Sequence, residues 1–125
     1  MNVPEELKFT KDHEWIKVEG SEALVGITDY AQSELGEIVF VELPAVGEAK
    51  ERETVFGTVE AVKAVSDLFM PVSGEVVSVN SALEDKPELI NEDPYEAGWM
   101  IRISIKDESQ LDALMTAGQY AAFIQ

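Results

Sequence analysis

The chain has 125 residues, 46% of them hydrophobic, and 9 Lys+Arg against 25 Asp+Glu give a formal net charge of −16. Length and apolar content suit one domain with its own core, whereas the charge repels phosphate backbones and anionic lipid, so neither nucleic acid nor membrane is expected as a partner. With no cysteine and a single histidine, a disulfide framework, a thiolate nucleophile and Cys- or multi-His metal sites are excluded.

The first residues, Met1 to Lys8, have neither the basic and apolar stretches of a signal peptide nor the Arg-rich character of a transit peptide. A reducing cytosol is the expected location, or an organelle matrix if a leader has been removed. Short apolar or alternating stretches bounded by Gly, Pro, Asn and Asp predict strands over 14–18, 23–27, 37–43, 54–62, 64–70, 74–80 and 99–105. Between the second and third of these, Thr28 and Asp29 start a short helix that Gly36 ends. A second helix is expected from Asp107, with Gln110 completing a capping-box-like pair. It places Leu111, Leu114 and Met115 on one face, and Gly118 interrupts it before Tyr120, Phe123 and Ile124.

Pro44-Ala-Val-Gly-Glu48 is echoed by Pro71-Val-Ser-Gly-Glu75, each straight after a predicted strand. The echo suits two sheets related by an approximate two-fold, or simple recurrence of a common turn composition. No linker divides the chain. The expectation is one β-rich domain over 1–125, with a core at about 7–106 and a C-terminal helical extension at about 107–125.

Around Lys63, Ala61 and Ala64 flank a two-residue turn, so the strands pair residue by residue. Val55, Gly57, Val59 and Ala61 then share a buried face with Ala64, Ser66, Leu68 and Met70. The opposite face pairs Phe56 with Phe69, Thr58 with Asp67 and Glu60 with Val65. Val62-Lys63 lacks the Asn or Gly of a primed turn, which predicts negative φ at both residues. Such unfavourable turn chemistry hints at selection for the lysine side chain, although an exposed lysine at a hairpin tip is more often only a solvated charge. His13 has no nucleophile or cofactor motif to serve and is expected in a structural or turn role. Glu84-Asp85 and Glu92-Asp93 lack EF-hand spacing and read as solvated surface, so no metal is expected.

The segment Glu60-Ala-Val-Lys-Ala64, followed by Val65-Ser-Asp67 and Pro71-Val-Ser-Gly-Glu75, resembles the lipoyl-lysine region of glycine cleavage system H proteins. His13-Glu14-Trp15, Val25-Gly-Ile-Thr-Asp29, Ala31-Gln32, Gly36, Val39 to Pro44, Pro87 to Asn91 and Pro94-Tyr95 with Gly98-Trp99 are similar to that family's pattern, in order and spacing. Biotin-carrying domains place their lysine between methionines, and lipoyl domains of 2-oxo acid dehydrogenase complexes usually put aspartate before it; here Val62 and Ala64 flank it.

The resemblance implies a mainly β, lipoyl/biotinyl-like fold, either a flattened barrel or a sandwich of two sheets, with a short helix near 28–35 and the helical extension. It implies lipoic acid in amide linkage to Lys63, with Glu60, Val62 and Ala64 recognised around it. The arm would fold into a cleft where Glu14 and Asp67, with Asp12 as a further acid, hold an ammonium, and Ala31 and Leu35 form an apolar wall. The implied work is carriage without catalysis. Glycine decarboxylase loads an aminomethyl group, a tetrahydrofolate-dependent aminomethyltransferase takes its carbon, and dihydrolipoyl dehydrogenase reoxidises the arm. Lipoyl- or octanoyl-transferring enzymes would install it on a monomeric chain. The alternative is a lipoyl relay or a divergent carrier for another lipoate-dependent pathway.

Overall fold

A computed structural model describes residues 1–125 as nine strands in two antiparallel sheets. The strands are β1 (Lys8–Phe9), β2 (Glu14–Glu19), β3 (Glu22–Ile27), β4 (Ile38–Glu42), β5 (Ala49–Lys50), β6 (Val55–Ala61), β7 (Val65–Phe69), β8 (Gly74–Val79) and β9 (Ile101–Ile105). The larger sheet has the order β1-β2-β3-β9-β8-β5 and the smaller β4-β6-β7. The two do not close into a barrel, so of the two expected architectures the chain adopts the sandwich.

All seven predicted strands form, most of them trimmed by a residue or two at the ends. The two-residue strands β1 and β5 carry too little periodicity to be read from sequence. So do the single-turn helices α2 (Ala82–Asp85) and α3 (Leu89–Glu92). The main core lies between the sheets and includes Ile16, Val25, Ile38, Val59, Leu68, Met70, Ile101 and Ile103. On β2, Ile16 joins this core while its neighbour Trp15 joins a second cluster with Leu7, Phe9, Ala117 and Tyr120. Strand β2 is therefore covered on both faces. No helix is long and apolar enough to cross a membrane.

Helix α1 (Asp29–Leu35) has the predicted ends: the Thr28 side chain accepts from the Ala31 amide at 3.1 Å, and Gly36, at φ 83°, stops it. The C-terminal expectation needs correction. Asp107 does cap a turn, accepting from the Ser109 amide at 3.0 Å, but the turn is a 3₁₀ helix over Glu108–Ala113. Gln110 does not close a capping box there, because its carbonyl accepts from the Ser73 amide across the fold. The box belongs instead to Thr116 and Gln119, which open α4 (Ala117–Phe123). Gly118 lies inside α4 without breaking it, since burial of Ala117 and Tyr120 outweighs the roughly 1 kcal/mol that glycine costs a helix.

The hairpin of β6 and β7 has the expected register near its tip, Thr58 opposite Asp67 and Glu60 opposite Val65. Below that, a bulge at Phe56 overturns the expected Phe56–Phe69 pair: Val55 stands opposite Phe69, and Gly57 opposite Leu68. The extra residue reverses the alternation, so Phe56 turns into the core at 3% exposure while Val55 is left 41% exposed. Gly57 allows this because a Cβ there would overlap the carbonyl oxygen of Glu42 on β4. Gly57→Ala is expected to cost about 2–3 kcal/mol, seen as a lower urea midpoint with unchanged slope. An unaltered midpoint would show that the strands can separate freely.

The first echoed segment leads into β5, which pairs with the end of the second. Ala49 pairs with Glu75 and Lys50 with Gly74, yet Gly47 takes φ 98° in a turn whereas Gly74 packs against the Ser104 carbonyl within a strand. Similar composition thus serves two different backbones.

Candidate functional site

At the hairpin tip the Ala61 amide donates to the Ala64 carbonyl at 2.7 Å, leaving Val62 and Lys63 as the two turn residues, neither with positive φ. The tip is braced from the side, since the Val62 amide donates to the Glu37 carbonyl at 3.1 Å, just after α1. Lys63 is exposed and belongs to none of the five ion pairs of the chain. Its stem runs past the C-cap of α1, where a Cβ on Gly36 would stand 3.5 Å from Lys63 Cε. An unpaired, accessible primary amine on a braced tip is what acylation of a lysine requires, so these residues fit a group in amide linkage. Of the neighbours, Glu60 and Val62 are exposed and Ala64 is half-buried.

Glu14 is the other unusual group. It is 1% exposed, yet both carboxyl oxygens are bonded: Oε1 accepts from the Thr10 hydroxyl at 2.8 Å and Oε2 from the Phe69 amide at 3.1 Å. Strand β7 is an edge of the small sheet, so Glu14 satisfies an amide that β6 cannot reach. Burial pushes its carboxyl up to about 8, with the nearby Asp12 charge adding to the shift while the two hydrogen bonds oppose it.

The turn before Glu14 is held from several sides. Thr10 Oγ1 accepts from the Asp12 and Glu14 amides at 3.2 and 3.1 Å. His13 takes φ 69°, and its Nδ1 lies 2.8 Å from the Tyr120 hydroxyl, which is also 2.7 Å from Thr28 Oγ1. Its ring lies 4.9 Å from that of Tyr30 on α1. Burial lowers the His13 pKa against the opposing charges of Asp12 and Glu34, which favours the neutral ring. His13 is therefore a turn residue clamped by α1 and α4, the role expected of it.

A cleft of about 300 Å³ opens beside Glu14, with Asp12, Met70 and Phe123 among its walls. Asp67, Ala31 and Leu35 do not line it. Asp67 is exposed on the outer face of β7, opposite Thr58, and Ala31 and Leu35 pack half-buried against the main core. Helix α1 nonetheless links the two places. Its N-terminal end adjoins His13, where the Thr28 amide donates to the His13 carbonyl at 3.0 Å, and its C-cap adjoins Lys63. Seven helical residues span roughly 10 Å, while β7 runs roughly 20 Å from the tip to the Phe69 amide.

Thr10 escaped the sequence reading, although Thr10-Lys-Asp12 is a recognisable hydroxyl turn. Lys11 and Arg52, which put positive charge in the cleft wall, and Gly36 as neighbour of the Lys63 stem escaped it too.

A family model described as glycine cleavage H-protein matches residues 7–125. Among solved structures, the chain is similar to a glycine cleavage system H protein from Mycobacterium marinum, with 41% identity and a TM-score of 0.86 over 96% of this chain and 97% of that one. A match of that extent, on a sandwich that holds a free lysine at a hairpin tip, establishes that this chain belongs to the glycine cleavage H-protein family, the lipoyl carriers of glycine cleavage.

Proposed function

We propose that Lys63 is the lipoylated residue and that the chain shuttles between the enzymes of glycine cleavage without catalysing a step itself. The observation that carries this is the unpaired Lys63 amine on the braced tip of a rigid hairpin. When bound there, a lipoyl group would supply a cyclic disulfide able to take up an aminomethyl group reductively, leaving a dithiol to be reoxidised once that group has been released.

The chain's own residues position and shelter. The hairpin fixes the arm's root, so the arm can swing without reordering the domain. Gly36 leaves the flank of the stem open, and α1, whose two ends adjoin His13 and Lys63, joins the tip to the turn before Glu14. In this reading Ala31 and Leu35 fix α1 to the core as the apolar side of the arm's path, Asp67 is an exposed acid on β7 beside the hairpin tip, and Asp12 and Glu14 offer oxygens to a cationic amine in the cleft. Glu60, Val62 and Ala64 are the residues an acylating enzyme meets around Lys63. The C-terminal segment works with the core as one domain, because Tyr120 holds His13 and Thr28 together.

The absence of cysteine suits a carrier whose arm, in its disulfide form, would exchange with any neighbouring thiol, and a reducing cytoplasm is the matching location. Glycine decarboxylase, aminomethyltransferase and dihydrolipoyl dehydrogenase are the successive partners. A net charge of −16 favours brief, salt-sensitive encounters with basic patches on them.

Lipoylated protein incubated with glycine decarboxylase and glycine should gain an aminomethyl group, at a rate that falls about tenfold or more between 20 and 300 mM salt. No loading, together with transfer of the lipoyl group to another complex, would favour the relay reading. Loading at a rate indifferent to salt would remove the electrostatic part.

A further inference from the structure

Nine large hydrophobic side chains are exposed, and five of them, Val39, Phe40, Val55, Val62 and Val65, lie on the small sheet or its tip. The concentration has a structural cause. Ile38 pairs with Ala61 and Phe40 with Glu60, leaving Val39 as an extra residue in β4. The bulge lets two successive residues face outward, Val39 at 45% and Phe40 at 55% exposure, while Ile38 stays buried. Across the sheet, Phe40 stands opposite Glu60 and Glu60 opposite Val65. Directly paired residues share a face, so these three form one outward row, apolar at both ends with a carboxylate between. Val65 is two residues from Lys63 and Glu60 three, which puts the row within roughly 10 Å of the lysine backbone.

The next row toward the base is acidic, with Glu42 and Asp67 on either side of Thr58. None of the nine Lys and Arg residues lies on β4, β6 or β7, and Glu42, Glu60 and Asp67 take part in no ion pair. The face thus combines exposed apolar side chains with uncompensated negative charge, which calls for a partner surface that is apolar and basic. The enzymes that use the end of a long arm need not touch its root. The enzyme that acylates Lys63 must bring its active site to the lysine nitrogen itself, and so must lie over the hairpin.

We infer that the outward face of β4-β6-β7, centred on Phe40, Glu60 and Val65, is the docking surface for the enzyme that acylates Lys63, which meets it with an apolar recess for Phe40 and a basic side chain for Glu60. The inference rests on Lys63 being the acylated residue and adds β4 to its recognition.

The test measures acylation of the unmodified chain at Lys63 by mass spectrometry, using an octanoyl- or lipoyl-transferring enzyme. The substrates are wild type, Phe40→Ser, Val65→Ser, the double variant and the distant exposed control Val46→Ser. Loss of a central aromatic anchor should lower kcat/KM by about 10- to 30-fold for Phe40→Ser and further for the double variant, mostly through KM, with the control unchanged. Titration of the enzyme with the unreactive Lys63→Arg chain should show the same loss of affinity when Phe40→Ser is added. Melting curves check that the variants fold, and Phe40→Leu, which keeps an apolar side chain, should recover much of the rate.

Equal acylation of wild type and folded variants would overturn the docking surface alone. Failure of wild type to be acylated at Lys63 would overturn the lysine assignment and this inference with it. Sedimentation showing a wild-type dimer that Phe40→Ser dissociates would assign the face to a second copy of the chain. Normal acylation with slowed loading by glycine decarboxylase would assign it to that enzyme, and either result contradicts the inference.

Discussion

Substituting Lys63→Arg is expected to abolish lipoylation and, with it, every glycine-dependent step that needs this chain, while leaving the melting temperature within about 1 °C of wild type. Arginine keeps the charge, but its guanidinium stays protonated and cannot act as the amine nucleophile that forms a stable amide. The stability expectation follows from the site: Lys63 is exposed, makes no ion pair and sits outside both core clusters. Activity should fall to the level of a reaction from which the carrier is omitted. Near-normal glycine exchange by the folded variant would contradict the assignment. A collapse in stability would mean that the tip has a structural duty.

The second large effect concerns Glu14 and pH. Its folded pKa is raised, from the usual 4.5 to about 8, by burial first and by the Asp12 charge as well. The folded chain therefore holds a proton that the unfolded chain releases between those values. The associated stability is complete below about pH 4.5 and is lost as pH rises through about 8, at up to about 1.4 kcal/mol per pH unit. The whole swing is about 5 kcal/mol, or roughly 15–25 °C in melting temperature for a domain of this size.

Glu14→Gln mimics the protonated acid. Its side-chain carbonyl can accept from the Phe69 amide, the bond that Oε2 makes in Glu14. The variant should match wild type near pH 5 and exceed it increasingly toward pH 9. Melting curves whose difference stays constant from pH 5 to 9 would show that Glu14 is already ionised in the folded chain. The same shift bears on function. A cationic amine in the cleft is held better by the carboxylate than by the neutral acid, so retention should strengthen from pH 7 to 9 in wild type and stay flat in Glu14→Gln.

How much of this was legible in sequence depends on whether each signal is local. Helix α1 was readable because Thr28 and Gly36 carry its ends in their own chemistry, and the top of the hairpin because alternation from Thr58 to Ala61 is regular. The bulge at Phe56 was not, since Val55 and Phe56 are both apolar and only the approach of the Glu42 carbonyl to Gly57 decides which turns inward. At the C-terminus two similar capping patterns compete, Asp107 with Gln110 and Thr116 with Gln119. The winner is set by Ser73, distant in sequence, which draws Gln110 away.

The site divides in the same way. Lys63 stands out through its unfavourable turn residues and the family's motif around it. The burial of Glu14 depends on an amide of β7, 55 positions further along the chain, and nothing local to Glu14 announces it. The predicted cleft was correspondingly the least complete part. Asp12 and Glu14 meet in one cavity wall, whereas Asp67, Ala31 and Leu35 lie outside it.

The mass of the Lys63 peptide, taken from protein purified from its own host, tests the central claim most directly. One lipoyl adduct on Lys63, absent from the Lys63→Arg chain, is the predicted result. An unmodified Lys63 in cells whose other lipoyl proteins carry their cofactor would contradict it.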